Sequence, residues 1–461
     1  MYYRQKYLKF TISLISTLVS TLLTISIPFN SVKADITNEK LQQSVVLQNN
    51  PQAALEVSQQ WRKRELVQSL AQRSPRSLVQ VLSIEQIQAV AKQQNATLVQ
   101  YSIINDKFKI AGRQQTKESE LYIWVVKPTG EITSRSVDLK PLWQNQNTSL
   151  ADLATSIFSS QYPSSPRVKE IKVAPIAEPN YKQKLQNLQK LHQILIEPIA
   201  ELLPNQPDER VIFIPHGDLF FVPFAALNNG QGEYLIEQHT IGTAPSIQVL
   251  SLLEQRQQQI QGVAKDILVV GNPTMPKMPS DLGGGRPFQL PGAEKEAKNI
   301  ASIFNTQALV GDAATETAVV QRMPKARIIH IATIFCSNNQ LKLALTASDK
   351  DDGWLTSKEI VNLNLQAELV VLSASHTATG KITGDGVNGL SRSFFTAGVP
   401  TVIGSLWNIQ DYMTTFLMTE FYQNLSENPD KATALRHAML TTMKKYPNPK
   451  DWAAFTLIGA L

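Results

Sequence analysis

Five short runs of almost unbroken apolar residues, separated by stretches of helical pattern, constrain this chain more than any other feature. They are VIFIP (211–215), ILVVG (267–271), RIIHIA (327–332), LVVLSA (369–374) and PTVIGSL (400–406). A strand that is apolar on both faces has to be covered on both, and its alternation with helices is the pattern of a parallel sheet between helical layers. The helical stretches fall near 245–257, 293–304, 387–397, 414–427 and 431–445. An amphipathic helix marked by Leu185, Leu188, Leu191 and Leu195 leads into this half, and Pro198 kinks or restarts it. Sites in open sheets of this kind lie beyond the carboxyl ends of strands, which directs attention to the loops after residues 332 and 374.

The first half has another texture. Residues 36–73 read as helical on Leu55, Val57, Trp61, Leu66, Val67 and Leu70, and a short helix is expected around Ser83–Gln93. Ala96–Ile104 and Leu121–Val126 are rich in β-branched and aromatic residues, and Pro128-Thr129-Gly130 turns the chain into Glu131–Leu139 as a hairpin partner. Residues 144–167 are polar and rich in Pro and Ser. Before all of this, Arg4, Lys6 and Lys9 precede an uncharged segment from Phe10 to Val32, and Val32-Lys33-Ala34 suits signal peptidase. Residues 1–34 are therefore expected to be a signal peptide of an exported chain, periplasmic or extracellular, with an uncleaved membrane anchor as the alternative. No span is expected after residue 34. The expected organisation is 1–34 signal, 35–95 helical region, 96–143 β-rich hairpin segment, 144–179 linker and 180–461 the α/β domain.

Charge and composition exclude several functions. The formal charge of +6 includes four bases in residues 1–34, which hold no acid, so subtracting those four leaves +2 for the rest. No basic field remains to attract nucleic acid. One cysteine, Cys336, excludes internal disulfides and cysteine-ligated metal, and the six histidines (192, 216, 239, 330, 376 and 437) never stand at metal-ligand spacing. Gly384, Gly386 and Gly389 match G-x-G-x-x-G with Asp411 beyond, but about ten residues separate them from the run ending at Ala374, too far for a dinucleotide loop. Gly283-Gly284-Gly285 lacks the Lys-Ser/Thr of a phosphate loop. Counting back from Gly353 puts Ser348 and Lys350 at the first and third ligand positions of a calcium loop, which rules that loop out. No cofactor and no metal are expected. Asp385 and Asp411 either line a cleft or cap the helices that follow them, with capping favoured; Trp407 is either a cleft wall or core, with core favoured; Lys444-Lys445 reads as a complement to a helix dipole.

Six ordered segments resemble the CHAT-domain family, caspase-like proteins of the cysteine-peptidase group that includes caspases and separases. They are FIPHGDLFFVPFAAL (213–227), YLIEQHTIGTAPSIQVL (234–250), LPGAEKEAKNIASIF (290–304), DDGWLTSKEIVNLNLQAELVVLSAS (351–375), GDGVNGLSRSFFTAGVPTVIGSLWNIQD (384–411) and WAAFTLIG (452–459). The resemblance covers about 180–461 and implies an α/β, caspase-like fold: a mostly parallel sheet flanked by helices, preceded here by a small helical and β-rich N-terminal region. Relatives often carry tetratricopeptide repeats upstream, and with only one or two helices preceding, no repeat scaffold is expected. The family's chemistry needs a histidine at the end of an H-x-x-x-H-G stretch and a cysteine in S-A-C-(D/E)-T. This chain reads His330-Ile331-Ala332-Thr333-Ile334-Phe335 and Ser373-Ala374-Ser375-His376-Thr377. Ile334 stands where the base would be, Phe335 where the glycine would be, and Ser375 where the nucleophile would be.

Isoleucine accepts no proton, and a serine hydroxyl has almost no nucleophilic form without a positioned base. Losing such a unit costs on the order of 10⁴–10⁶ in turnover where it has been dissected. The expectation is a pseudopeptidase with a peptide or protein partner. The competing expectation is an active peptidase using Ser375 with His376 or His330; in the first reading His330 matches the family's first, non-catalytic histidine.

Overall fold

A computed structural model describes residues 50–61, 81–110, 112–157, 181–277, 289–336, 340–374, 377–378, 381–383, 386–407 and 410–461, the side chains of 60–61 and 381–388 excepted. The signal-like segment 1–34, part of the first expected helix, the 283–285 glycines, Gly384, Asp385, Ser375 and His376 lie outside the described residues.

In chain order the N-terminal region contains α1 (Pro51–Trp61), α2 (Ile84–Gln94), β1 (Ala96–Ile110), β2 (Arg113–Val126), β3 (Ile132–Asp138) and α3 (Leu150–Ser156). Helix α2 begins where Ser83 and Gln86 cap each other reciprocally and ends at Asn95 in the left-handed conformation. Strands β1 and β2 run well past the apolar segments read from the sequence. Their polar ends, from Asn105 to Glu118, pair across an antiparallel hairpin closed by Ile110 opposite Arg113. Ladder hydrogen bonds hold these ends without core burial, so no apolar signal marks them. Helix α3 lies inside the stretch expected as linker. Ser149 accepts the Asp152 N–H at its start, and Leu150, Leu153 and Ala154 are buried, which the surrounding Ser and Pro conceal.

The second half contains α4 (Tyr181–Leu195), β4 (Arg210–Ile214), β5 (Thr240–Thr243), α5 (Ile247–Ile260), β6 (Asp266–Pro273), α6 (Pro291–Ile303), β7 (Leu309–Gly311), α7 (Glu316–Arg322) and β8 (Ala326–Ala332). These are followed by β9 (Phe335–Cys336), β10 (Lys342–Ala344), β11 (Trp354–Thr356), α8 (Ser357–Asn362), β12 (Leu369–Ser373), β13 (Lys381–Thr383) and β14 (Gly386–Asn388). The chain ends with α9 (Leu390–Ala397), β15 (Thr401–Ser405), α10 (Asp411–Glu427), α11 (Lys431–Lys445) and β16 (Phe455–Gly459). Each of the five apolar runs is a strand of the main sheet. The helix expected from 387 starts at Leu390, because Gly386–Asn388 is taken by an antiparallel ladder with Lys381–Thr383.

Eleven strands form one sheet in the order β3-β2-β1-β4-β5-β16-β15-β12-β8-β6-β7. Seven of its ten neighbour pairings are parallel, which makes it a mostly parallel sheet. The direction reverses at β15–β16: β16 runs antiparallel to β15 and parallel to β5, so the last strand joins two parallel blocks of opposite sense. The pleat separates two apolar layers. Val269, Ile328, Val371 and Ile403 pack with Ile300 of α6 and Leu417 and Phe421 of α10. Val270, Ile329, Ile331, Val370, Leu372 and Val402 pack on the other face with Leu253 of α5 and Phe394 and Phe395 of α9. Among the described residues no helix is long and apolar enough to cross a membrane.

Candidate functional site

Strands β8 and β12 are parallel neighbours, with Ala332 opposite Ser373 at their carboxyl ends. Both loops singled out from the sequence therefore leave the sheet side by side. Beyond Ala332 the chain turns at Thr333, whose hydroxyl donates to the Ala344 carbonyl at 2.7 Å, while the Ala344 N–H donates to the Ile334 carbonyl at 3.0 Å. The next two residues, Phe335 and Cys336, pair with Leu343 and Lys342, and β10 pairs with β11 to complete a three-stranded platform. The half-buried Ile334 side chain packs with Met275, Cys336, Ala344 and Trp354. The Lys342 ammonium lies 4.0 Å over the Trp354 ring. Phe335 is buried in the core with the Ile329 and Ile331 layer. Among the described residues this turn is held by the Thr333 and Ala344 hydrogen bonds, and the side chains at 334 and 335 offer no proton acceptor.

The exit of β12 is pinned by Thr377. This fully buried hydroxyl donates toward the carbonyls of Leu372 (3.0 Å) and Ala374 (3.2 Å) and accepts the Ser405 N–H (3.0 Å). The Ser405 carbonyl accepts the Ala378 N–H, and its hydroxyl donates to the Ala374 carbonyl. Glycine at 404 allows the close approach: a Cβ there would sit 3.0 Å from the Ala378 nitrogen and 3.1 Å from the Thr377 hydroxyl, so these neighbours would have to give by a few tenths of an ångström. Thr377→Val keeps the shape but strands these groups, so an unfolding free energy lower by about 2–3 kcal/mol is expected in urea titration. A Val variant as stable as the native chain would deny Thr377 this role.

His330 is fully buried on β8, facing α6 and α10. Its Nε2 lies 2.9 Å from Glu296 Oε1, an ion-pair distance without the alignment of a straight hydrogen bond, and its Nδ1 is 3.2 Å from the Tyr422 hydroxyl. Burial, and then the Glu296 charge, push the Tyr422 phenol far above its ordinary range. Asp411, expected to cap a helix, is instead the first residue inside α10, with Gln410 at the cap. Its carboxyl accepts the Gly292 N–H across to α6; burial and the nearby Glu296 charge outweigh that bond and raise its pKa. Trp407 is buried and donates to the Lys450 carbonyl at 2.9 Å.

Sequence reasoning named Ile334, Phe335 and His330, and the structure places all three on one strand-and-turn segment. It did not single out Gly404, Ser405 or Trp354, although all three lie inside the quoted family segments, and it quoted Thr377 only as the end of the Ser373–Thr377 stretch. Nor did it find Glu296 and Tyr422, for which no local signal exists.

Fold and site together define a class, and the CHAT domain profile matches residues 185–460: the chain belongs to the CHAT-domain family, with a caspase-like fold. It is similar to Tetratricopeptide repeat protein 28 of Mus musculus, 28% identical over 323 residues, which is 59% of this chain and 13% of that protein. The Homo sapiens protein of the same name is 29% identical over 324 residues, with the same two shares. The chain thus spans only 13% of the length of these curated relatives. Among solved structures, the separase–securin complex of Saccharomyces cerevisiae aligns with a TM-score of 0.56 at 14% identity, covering 92% of this chain and 36% of that chain. At that identity the likeness concerns the fold alone.

Proposed function

We propose that this chain is an exported pseudopeptidase of the CHAT family that binds a peptide or protein partner without cleaving it. What carries the reading is the sequence resemblance, which aligns Ile334 with the position where the family's chemistry requires an imidazole; in support, the turn that bears it is held by the Thr333 and Ala344 hydrogen bonds. The competing peptidase reading needs a base for Ser375. His330 is a poor source, because its Nε2 lies 2.9 Å from Glu296 and its Nδ1 3.2 Å from the Tyr422 hydroxyl in a fully buried setting. Export rests on the signal-like segment 1–34, and partner binding draws support from the fold relative, whose solved structure is a separase–securin complex. An open sheet edge can also accept an extended peptide as an added strand.

The test is incubation of the purified protein with peptide libraries and with activity-based cysteine and serine probes. The expected result is neither turnover nor labelling, alongside capture of a stoichiometric partner from the exported fraction. Turnover that disappears in Ser375→Ala, or specific labelling of Ser375, would overturn the inactive assignment.

A further inference from the structure

A buried carboxyl group is among the contacts that tie the platform beneath Ile334 to the rest of the domain. Helix α7 begins against the loop that leads into β11: the Glu316 N–H donates to the Thr346 carbonyl (3.1 Å), the Thr346 N–H to the Ala314 carbonyl (2.9 Å) and the Thr346 hydroxyl to the Gly311 carbonyl (2.8 Å). The Glu316 side chain, 6% exposed, accepts the Gly353 N–H in the same loop. Gly353 is held there at φ +78°, where a Cβ would meet the Leu345 carbonyl oxygen and the Ala347 nitrogen at 2.7 Å each. Its own carbonyl accepts the Leu345 N–H at 2.7 Å, just beyond β10. One contact of Glu316 therefore reaches both strands of the hairpin on which Ile334 rests.

The Gly353 N–H favours the carboxylate, but the surroundings of Glu316 are poorly suited to an anion. Glu316 Oε2 and Asp351 Oδ1 are both buried without a hydrogen-bond partner. Burial pushes the Asp351 carboxyl up, but hydroxyl and backbone donors from Thr317 and Ser348 outweigh it and keep its pKa below the ordinary value. Asp351 thus stays ionised beside Glu316. Burial, followed by the charges of Glu359 on α8 and of Asp351 and Asp352 in the loop, pushes Glu316 up to about 7, opposed only by the Gly353 N–H. Among the described residues no basic side chain is among the groups acting on it, and no three His, Cys, Asp or Glu side chains are gathered to hold a metal ion. A proton neutralises the buried oxygen.

We infer that Glu316 is a proton-operated latch: carrying a proton, it holds α7 against the β10–β11 hairpin, and on ionising it loosens the platform under Ile334. Since folding raises the affinity of Glu316 for its proton, the stability it contributes is fully present below the ordinary glutamate range, about 4.5, and is lost as pH rises through about 7. The expected direction is tightening on acidification.

Amide exchange at 342–344 and 354–356, corrected for the intrinsic pH dependence, reads the latch directly. Protection of these amides in the native chain should fall about tenfold between pH 6 and 8.5, given an ordinary glutamate pKa in the opened state. In Glu316→Gln, whose amide oxygen can still accept from Gly353, protection should not depend on pH over that range. Glu359→Gln keeps an acceptor for Thr356 but removes the largest neighbouring charge, so it should move the transition to lower pH. The same pH dependence in Glu316→Gln, or an unmoved transition in Glu359→Gln, overturns the latch. The second variant alone decides the matter if the first does not fold.

Discussion

A Ser375→Cys variant should react sluggishly with iodoacetamide at pH 6, and adding Ile334→His should accelerate that reaction about tenfold. An isolated thiol with a pKa near 8.5 is about 0.3% thiolate at pH 6, whereas a thiol paired with an imidazolium is ionised almost completely. Part of the gain in thiolate is offset, because a more acidic thiol is intrinsically less nucleophilic. The expectation rests on register: Ala332 lies opposite Ser373, and positions 334 and 375 each follow their strand end by two residues. If the loop frame persists while only its chemistry has been lost, restoring both residue types restores the pair. The one native cysteine, Cys336, is buried and gives little background. The diagnostic reading is the pH profile of alkylation. A profile for the double variant that matches Ser375→Cys alone would mean that the two exits no longer present a catalytic geometry, and that more than two side chains have changed since an active form.

The main strands were legible because five apolar runs state their own burial; no knowledge of neighbours is needed to see that RIIHIA or LVVLSA lies inside a sheet. Strands of two or three residues, such as Phe335–Cys336, Lys342–Ala344 and Leu309–Gly311, carry too little pattern to be read, and they exist because a partner strand is already in place. The reversal at β16 was equally hidden. Nothing in WAAFTLIG records that it will sit between β15 and β5, since strand direction is decided by the path of the preceding helices. The residue types at 334 and 375 could be read directly, because reactivity belongs to residue type. Their support could not: Tyr422 is 92 residues from His330, and only folding brings them together. Asp411 shows the same limit, since its position favoured a cap for its own helix while the fold directs its carboxyl to the Gly292 N–H of α6.

Removing one member of the buried His330–Glu296 pair should be among the most damaging single changes in this domain. The pair is almost wholly excluded from water, with side chains 0% and 2% exposed, and it links β8, which leads into the Ile334 turn, to α6. His330→Ala leaves the Glu296 carboxyl in the core without its partner and Tyr422 without its acceptor or donor, which typically costs about 3–5 kcal/mol. Replacing the whole cluster is a different matter. Glu296→Leu, His330→Phe and Tyr422→Phe together fill similar volume with apolar groups and strand no polar atom. Such replacements are often neutral or even stabilising. Urea unfolding should therefore find the triple variant more stable than His330→Ala alone, a non-additivity that contacting residues produce and independent ones do not. If the losses instead accumulate across the three positions, the cluster contributes through shape at each site rather than as a coupled polar unit. In that case the cluster does not act as a coupled polar unit in positioning the turn that carries Ile334.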